Sequence, residues 1–506
     1  MKNSKTLPLQ QGEYWFSGVV DDTIRMPYTE KSEVFIDPFH DVLVNQINPV
    51  LVSNQGRFFY APKYFTYRFS GGVLTVCSDG EIIYGEKESF TAACEYLRQT
   101  FYPQKSGKLD LSMTLSPQYC TWMALGYDQT QEGVVSFAKS ILAAGLPAGL
   151  LIIDDGWANY YGDWTFVKHK FPNPKKMCEE LKELGFRVAL WICPYVSPDS
   201  AAFRFLRSKD YLLKRNGKPF IAEWWDGFSA CIDFTNPAAK GWFIGVVNDL
   251  IALGVDGVKM DGGDRYIYDN DVDCFAKPHA DGLFLSEAYA NTAAEFNFAE
   301  LRGAAKTAGL PVFQRIGDRT HAWEDSLGGF DGIVKKSLLM GVFGYPFNAP
   351  DMVGGGLMAD WGVSEDEELN VRYMQAATFM PAIQFSKTLW TYGERMKKEV
   401  EKGISFRARY RSLLEKAGKE CLKAGKPIIQ PLLWAIGEQP AIWDEFLLAD
   451  KLLVAPVLEK GQTERKVYLP SGVWTYMPTG ERFERADGGW VTVPAPIDVL
   501  PYFEKN

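Results

Sequence analysis

The feature that most constrains the fold is an alternation of apolar and helical segments between residues 116 and 410. The apolar segments end in acidic residues or proline and span residues 149–155, 186–194, 255–261 and 311–318. Segments of this kind are typical of parallel strands that helices cover on both faces. The length of the region fits a (β/α)₈ barrel, so the sequence predicts an α/β fold of that type. A doubly wound sheet is the alternative, but no glycine-rich phosphate loop follows any apolar segment.

Two of the intervening segments carry clear start and stop signals for helices. Asn173-Pro174 and Asn236-Pro237 each place a capping side chain before a proline at the first helical position. Apolar residues follow at helical spacing, and Gly185 and Gly254 end the two segments. These signals support the alternation of strand and helix.

The two ends of the chain have a different pattern from the middle. Short alternating segments separated by Gly71-Gly72 and Asp79-Gly80 predict antiparallel strands in the first part of the chain. Similar segments, with a turn at Ser471-Gly472, recur near the end. The sequence therefore predicts an N-terminal β-sandwich over residues 1–115, a catalytic barrel over 116–410, and a C-terminal β-sandwich with a leading helix over 411–506.

Composition argues against several classes of protein. The chain has 54 Lys and Arg against 63 Asp and Glu, a net charge of −9, which is unlike that of a nucleic-acid binder. It has no basic patch for an anionic membrane, no signal peptide, and no apolar segment long enough to span a bilayer. We therefore expect a soluble, cytoplasmic protein without membrane or nucleic-acid partners; a homo-oligomer remains open.

The eight cysteines and four histidines do not indicate a metal site. The cysteines are dispersed, with no CxxC pair, and the histidines lack ligand spacing. Dispersed cysteines fit buried free thiols in a reducing compartment. Asp261 and Asp264 could hold Mg²⁺ as an alternative, but two acids are weak evidence, and we expect no metal and no other cofactor.

Acidic residues stand where the predicted strands end, which is where barrels carry their functional groups. They are Asp154, Asp155, Asp261 and Asp318. Lys259 precedes Asp261 by two residues and lies on the same strand face, so its ammonium would keep a nucleophilic carboxylate ionised. The alternative is a buried structural Lys–Asp pair.

Asp318 follows Arg315 by three residues and is the candidate general acid. Two carboxylates, one ionised and one protonated, are the minimum for glycoside hydrolysis. The alternative is an Arg–Asp pair at the surface. Trp191 and Trp225 are the aromatic residues that we expect to line the pocket, because flat rings stack on sugars.

Several motifs, taken in order, resemble those of glycoside hydrolase family 31. The resemblance runs through the barrel and the C-terminal region and is carried by GLLIIDDGW, FPNPKKM, LGFRVALWICPYVSPDS, DFTNP, GVDGVKMDGGD, GYPFNAPDMVGGG and LLVAPVLEKGQTERKVYLPSGVW. Within the family, the chain is most similar to the myogenesis-regulating glycosidase group, through EWWDG, QRIGDR, PDMVGG and FMPAIQFS.

The resemblance implies a retaining α-glycosidase with Asp261 as nucleophile and Asp318 as acid/base. It places sugar contacts at six positions: Asp155, Trp191, Trp225, Lys259, Arg315 and Asp351. The chain departs from the usual family pattern at Pro350, where most members have His. Most members also place the acid further along, which makes Asp325 a rival to Asp318.

The sequence therefore predicts a retaining exo-α-glycosidase that hydrolyses small carbohydrates without a cofactor. The closer group implies an α-galactosidase. We expect Asp154 and Asp155, at the end of their strand, to hydrogen-bond the axial 4-hydroxyl of galactose, and Trp157 to line the pocket. An α-glucosidase or α-xylosidase is the alternative within the family. A non-catalytic sugar-binding protein and a metal-dependent barrel lyase are alternatives of other classes. A retaining mechanism requires the carboxylates of Asp261 and Asp318 to lie about 5–6 Å apart.

Overall fold

The computed structural model describes residues 3–325, 329–437 and 442–506. Its centre is an eight-stranded parallel sheet in the order β7-β6-β5-β4-β3-β2-β1-β8. These strands are β1 (Pro117–Cys120), β2 (Leu150–Ile153), β3 (Arg187–Ile192), β4 (Gly257–Met260), β5 (Ala299–Leu301), β6 (Phe313–Arg315), β7 (Asn348–Ala349) and β8 (Ile383–Phe385). The backbone amide of Ala382 donates to the carbonyl of Asn348 at 3.1 Å, which nearly closes the sheet. The predicted parallel barrel is confirmed.

Seven helices of eight or more residues cover the barrel in the described chain, each following one strand. They are α1 (Gln131–Ala143), α2 (Pro174–Glu183), α3 (Pro237–Leu253), α4 (Gly282–Ala290), α5 (Ile333–Val342), α6 (Glu367–Ala377) and α7 (Glu394–Arg409). The predicted capping is confirmed: the side chains of Asn173 and Asn236 accept hydrogen bonds from the first turns of α2 and α3.

The barrel departs from a regular (β/α)₈ fold after β5. Residues 302–312, all of which the structure describes, connect β5 to β6 without a helix. Gly303, Gly309 and Pro311 make this stretch a poor helix former.

The N-terminal region covers this helix-free connection. The amide of Ile47 donates to the carbonyl of Ala304 at 3.0 Å, and the amide of Lys306 donates back to Ile47 at 2.8 Å. The Gln46 amide side chain also donates to the carbonyl of Arg302 at 2.8 Å. A strand of the N-terminal region thus pairs with this connection at its first residue.

The N-terminal region contains two four-stranded antiparallel sheets. One has the order Asn3–Pro8, Val73–Ser78, Thr66–Ser70, Val34–Ile36; the other has the order Trp15–Val19, Ile47–Ser53, Arg57–Tyr60, Ile83–Glu86. Helix Phe90–Phe101 follows them. Their buried aromatic residues belong to the same apolar core as those of the barrel.

The C-terminal region has a smaller core of its own and also adds residues such as Phe446 and Val454 to the main core. Helix Arg411–Ala424 leads into a six-stranded sheet in the order Ile429–Pro431, Phe446–Leu448, Leu452–Val454, Tyr502–Lys505, Gly472–Tyr476, Glu481–Arg485. Strands Glu464–Leu469 and Gly489–Pro494 form a second, two-stranded sheet. Trp474 and Phe503 are buried between the sheets. Across the described part of the chain, none of the helices has the length and apolarity needed to cross a membrane.

An insertion between β3 and α3 extends one wall above the barrel. It contains helix Ala201–Lys209 and a small antiparallel sheet of Tyr195–Val196, Gly227–Cys231 and Ile221–Trp224. The last two strands form a hairpin whose tip carries Trp225 and Asp226.

Candidate active site

The carboxyl ends of the barrel strands bring most of the predicted site residues to one face. Asp154 and Asp155 follow β2, and Asp261 follows β4. Asp318 and Asp351 follow β6 and β7 at short distance. This arrangement is the one in which barrel enzymes hold their catalytic groups.

Asp261 accepts hydrogen bonds at both carboxylate oxygens. The indole Nε1 of Trp191 donates to Oδ2 at 3.0 Å, and Nε of Arg302 donates to Oδ1 at 3.0 Å. The backbone amide of Gly262 also donates to Oδ1, at 2.9 Å. The carboxylate is therefore fixed in orientation while its side chain keeps 12% of its surface exposed.

The surroundings of Asp261 favour its ionised form. Burial opposes ionisation, but the positive charges of Arg302, Lys259 and Arg315 outweigh it. Together with the Trp191 hydrogen bond they hold the pKa of Asp261 well below its usual range. A carboxylate in this state can act as a nucleophile.

Arg302 is the direct partner of Asp261, and the sequence analysis missed it. It follows β5 and also pairs with Asp264, where Nη2 lies 2.9 Å from Oδ2. Burial raises the pKa of Asp264 to about 6, although Arg302 lowers it. The guanidinium thus occupies the position between Asp261 and Asp264 that a Mg²⁺ ion would take.

Lys259 serves Asp261 less directly than predicted. Its ammonium lies 2.7 Å from Oδ2 of Asp154, and both side chains are buried. The thiol of Cys120 donates to the same oxygen at 2.9 Å. Asp154 is only 2% exposed and so has little surface for a sugar. Lys259 and Asp154 form a buried pair beneath the site, and Lys259 acts on Asp261 through its charge.

The two glycines after Asp261 lie against aromatic rings. Both have positive φ angles, 68° at Gly262 and 73° at Gly263. A Cβ at Gly262 would lie 2.7 Å from the ring of Tyr195, and one at Gly263 would lie 2.2 Å from the ring of Tyr289. Glycine is therefore needed to let these two rings pack beside the nucleophile.

Arg315 organises a second group of acids. Its Nε lies 2.9 Å from Glu300, and its Nη1 contacts both Asp318 and, at 2.7 Å, Asp351. Arg315 and Asp351 are buried, whereas the side chain of Asp318 is 33% exposed. Asp318 is thus the member of this group that a substrate can reach.

The pKa values of two of the three acids bound to Arg315, Asp318 and Asp351, shift in opposite directions. Burial raises the pKa of Asp351 to about 6, against the effect of Arg315. Burial also opposes ionisation of Asp318, but Arg315 and Arg302 outweigh it and lower the pKa of that carboxyl. The negative charge of Asp261 acts in the other direction on Asp318.

Asp155 belongs to a third acidic group, which includes three residues that the sequence analysis missed. The hydroxyl of Tyr161 contacts Oδ2 of Asp155 at 2.9 Å and Oδ2 of Asp226 at 3.1 Å. The hydroxyl of Tyr127 donates to the other oxygen of Asp226 at 2.7 Å. Burial and the nearby charge of Asp226 raise the pKa of Asp155 well above its usual range. This group lies where β2 meets the hairpin insertion.

The predicted pocket tryptophans differ in exposure. Trp191 is 2% exposed and contacts the site through its indole N–H. Trp225 is 39% exposed at the hairpin tip, and its ring lies 5.3 Å from the guanidinium of Arg302. Trp157 is fully buried and packs on Trp164 and Phe166, so its predicted place in the pocket wall is wrong.

Asp325, the rival acid, follows Trp323 in the connection between β6 and α5. The indole of Trp323 donates to Asp366, which caps the start of α6, at 3.1 Å. The next three residues lie outside the described chain. Among the described residues, Asp318 rather than Asp325 lines the cleft beside Arg302.

This cleft has a volume of about 690 Å³ and lies between the barrel and the N-terminal region. The barrel contributes Tyr266, Arg302, Asp318, Arg319 and Leu357. The N-terminal region contributes residues from the segments 21–25, 35–36 and 41–44. One wall of the cleft therefore comes from outside the barrel, a contribution that the sequence analysis did not predict.

Comparison with known families identifies two domains in the chain. Residues 112–414 match the model of the glycosyl hydrolases family 31 TIM-barrel domain. Residues 425–506 match the glycosyl hydrolase family 31 C-terminal domain. The first match alone spans more than half of the 506 residues.

Curated relatives agree with these matches. The chain is 33% identical over 428 residues to the myogenesis-regulating glycosidase of Mus musculus, covering 82% of this chain and 59% of the relative. It is 27% identical over 435 residues to α-glucosidase 2 of Bacillus thermoamyloliquefaciens, covering 78% and 53%. The chain thus spans between half and two thirds of the length of these relatives.

Solved structures share the fold across the whole chain at low identity. A GH31 α-xylosidase from a soil metagenome superimposes with a TM-score of 0.84 at 21% identity, covering 79% of that chain. The dextranase FjDex31A of Flavobacterium johnsoniae gives 0.83 at 19% identity, covering 66%.

Proposed function

The chain belongs to glycoside hydrolase family 31, and from this premise we propose that it is a retaining exo-α-glycosidase. The observation that carries the proposal is the state of Asp261. Arg302 and Trp191 orient its carboxylate and, with Lys259 and Arg315, keep it ionised at the carboxyl end of β4. A second, partly exposed carboxylate, Asp318, lines the cleft and is close enough for the charge of Asp261 to act on it.

In the first step, Asp261 attacks the anomeric carbon of a bound α-glycoside. The bond between that carbon and the glycosidic oxygen breaks, and Asp318 gives its proton to the departing oxygen. A β-linked glycosyl ester of Asp261 and a free alcohol result. The exposed edge of Asp318 faces the cleft through which the alcohol leaves.

In the second step, Asp318, now ionised, removes a proton from water. The oxygen of that water attacks the anomeric carbon, and the ester bond to Asp261 breaks. The product is the α-anomer of the free sugar, and both carboxyl groups return to their starting states.

The first step requires a protonated Asp318, although Arg315 favours its ionised form. A bound substrate removes water from the exposed third of this side chain. Loss of solvent raises the pKa of a carboxyl group, and the negative charge of Asp261 acts in the same direction. Substrate binding therefore promotes proton uptake by Asp318.

For the sugar, we propose an α-galactoside, as the resemblance to the myogenesis-regulating glycosidase group implies. The group formed by Asp155, Tyr161, Asp226 and Tyr127 offers acceptors and hydroxyls to a sugar ring. A site that hydrogen-bonds one hydroxyl epimer rejects the other, because its buried polar groups are then left unpaired. α-Glucosides and α-xylosides are the alternatives, since similar proteins are named α-glucosidase 2 and α-xylosidase XylQ.

A panel of p-nitrophenyl α- and β-glycosides tests the proposal. We expect turnover of α-glycosides only, fastest for the α-galactoside, and release of the α-sugar first as seen by proton NMR. Faster hydrolysis of the α-glucoside would change the sugar but not the mechanism. Binding without turnover of any glycoside would instead favour a sugar-binding protein on the same fold.

A further inference from the structure

The cleft beside Asp318 contains charged residues, but most of their groups are engaged within the protein. Asp21 accepts hydrogen bonds from the backbone amides of Val44 and Asn45 at 3.0 and 2.8 Å. Asp22 pairs with Arg25, and Asp41 accepts from the amide of Asp37 at 2.7 Å. These groups already have the partners that a polar ligand would otherwise supply.

The arginines of the cleft are engaged in the same way. Arg302 pairs with Asp261 and Asp264. Arg319 is 2% exposed and donates from Nε to the carbonyl of Gly317 at 2.8 Å. Arg25 also pairs with Asp22, but its side chain is 52% exposed, so a ligand would meet this charge as well as that of Asp318.

Most of the remaining exposed surface of the cleft is apolar. Val42 is 71% exposed, Phe35 is 48% exposed and Ile24 is 38% exposed, all on the N-terminal wall. Leu357, from the connection after β7, lies on the barrel side. Exposed apolar side chains that share one cleft are a common sign of a binding site.

The position of Asp318 determines which part of a substrate enters this cleft. The oxygen that Asp318 protonates belongs to the leaving alcohol, and Asp318 lines the cleft. The group attached to that oxygen therefore extends toward Val42, Phe35 and Leu357. A second sugar would lay hydroxyls against these side chains, whereas an alkyl chain would bury both surfaces from water.

We infer that the natural substrate carries an apolar leaving group, an alkyl or similar hydrocarbon alcohol, bound between the N-terminal wall and Leu357. This inference deepens the proposed function and assumes the same site.

Affinity can be measured without turnover by calorimetry on the Asp261→Asn variant. The ligands are methyl, propyl and hexyl α-galactoside and the matching α-glucosides. Burial of one methylene contributes about fourfold in affinity when complete, so we expect hexyl to bind at least about tenfold more tightly than methyl in one sugar series. A galactose-terminated disaccharide should bind more weakly than the hexyl glycoside.

Matched variants locate the effect. Val42→Thr and Leu357→Asn keep the size of each side chain but add a polar group, and each should reduce the hexyl-to-methyl ratio at least about threefold. Ile251→Thr, on the outer face of α3 where Ile251 is 39% exposed, should leave the ratio unchanged.

Equal affinities along the alkyl series, or tighter binding of the disaccharide than of the hexyl glycoside, would overturn the inference. If Val42→Thr and Leu357→Asn leave the hexyl-to-methyl affinity ratio unchanged, the alkyl group binds elsewhere, and the inference is also overturned. Failure of the proposed function is a different result, namely no hydrolysis of any α-glycoside by the wild-type protein. The calorimetric series is informative in either case.

Discussion

The candidate site has two halves, one around Arg302 and one around Arg315. In both halves a buried arginine binds carboxylates, but the bound carboxylates differ in exposure. Each arginine is buried and contacts more than one acid: Arg302 contacts Asp261 and Asp264, and Arg315 contacts Glu300, Asp318 and Asp351. The carboxylate side chain of Asp261 is 12% exposed, whereas that of Asp318 is 33% exposed.

The difference in exposure matches the difference in proposed roles. A nucleophile benefits from fixed orientation and constant charge, and five positive or hydrogen-bonding groups supply both to Asp261. An acid/base must gain and lose a proton in each cycle, so contact with solvent and substrate is useful to Asp318. Pairing with arginine therefore keeps Asp261 ionised throughout the cycle in one half. In the other half it leaves Asp318 accessible for the gain and loss of a proton.

Removing the charge from the Arg302 half should have the largest effect. We expect Asp261→Asn to lower kcat by at least about 10³-fold, because no glycosyl ester can form. Added azide should restore turnover and give the β-glycosyl azide, with circular dichroism as the control for folding. A kcat like that of the wild type would remove Asp261 from the mechanism.

Replacing Asp318, in the Arg315 half, should give a glycosyl azide of the opposite anomeric configuration. Asp318→Ala should lower kcat on an alkyl α-glycoside by about 10²-fold or more, and less on a p-nitrophenyl glycoside, whose leaving group needs little protonation. Azide should now give the α-glycosyl azide, because Asp261 still forms the ester. Equal losses on both substrates would argue against Asp318, and Asp325→Ala would then be the variant to test.

Asp155 belongs to neither half. Replacing it tests whether the sugar is recognised by a group distinct from the two catalytic carboxylates. Asp155→Ala should cost at least about 2 kcal/mol in transition-state stabilisation, as expected for losing a hydrogen bond to a charged or buried group. The measurement is kcat/KM on the preferred glycoside. If Asp155 only supports the loop after β2, the variant will melt earlier but keep its kcat/KM.

The smallest effect is expected from replacing Arg302 itself, which should change the pH profile of activity. In Arg302→Met the burial of Asp261 remains while its main positive neighbour is lost, so its pKa should rise toward and above the ordinary 3.8. Asp261 must be ionised to attack. On acidification, the variant should therefore lose its activity at a higher pH than the wild type does. We expect the acid limb of kcat/KM to move up by about 1 to 3 pH units.

Arg302→Lys is the matched control for that profile, because it keeps a positive charge at the position. Its acid limb should lie close to that of the wild type even if kcat/KM falls. An unchanged limb in Arg302→Met would mean that Lys259 and Arg315 suffice to keep Asp261 ionised.

The sequence predicted the barrel and the positions of its acids because both follow from local patterns. Asp155 and Asp261 end apolar strands, and Arg315 and Asp318 are three residues apart in one segment. The parallel strands then bring these side chains to a common face.

The sequence could not predict partners that come from elsewhere in the chain. Arg302 is 41 residues from Asp261, and Asp226 is 65 residues from Tyr161, so no spacing rule joins them. The same limit explains the pairing of Lys259 with Asp154, 105 residues away, instead of with its neighbour on the strand. The proposed acidic and aromatic roles remain predictions until the variants are measured.

The helix-free connection after β5 has a consequence for how the protein can be divided. Arg302 begins that connection, and residues 46 and 47 of the N-terminal region hold its backbone in place. The two regions also share one apolar core. The N-terminal sheets therefore belong to the same structural unit as the barrel. A barrel expressed without them would lose the hydrogen bonds that support the backbone at Arg302, the residue that pairs with the nucleophile.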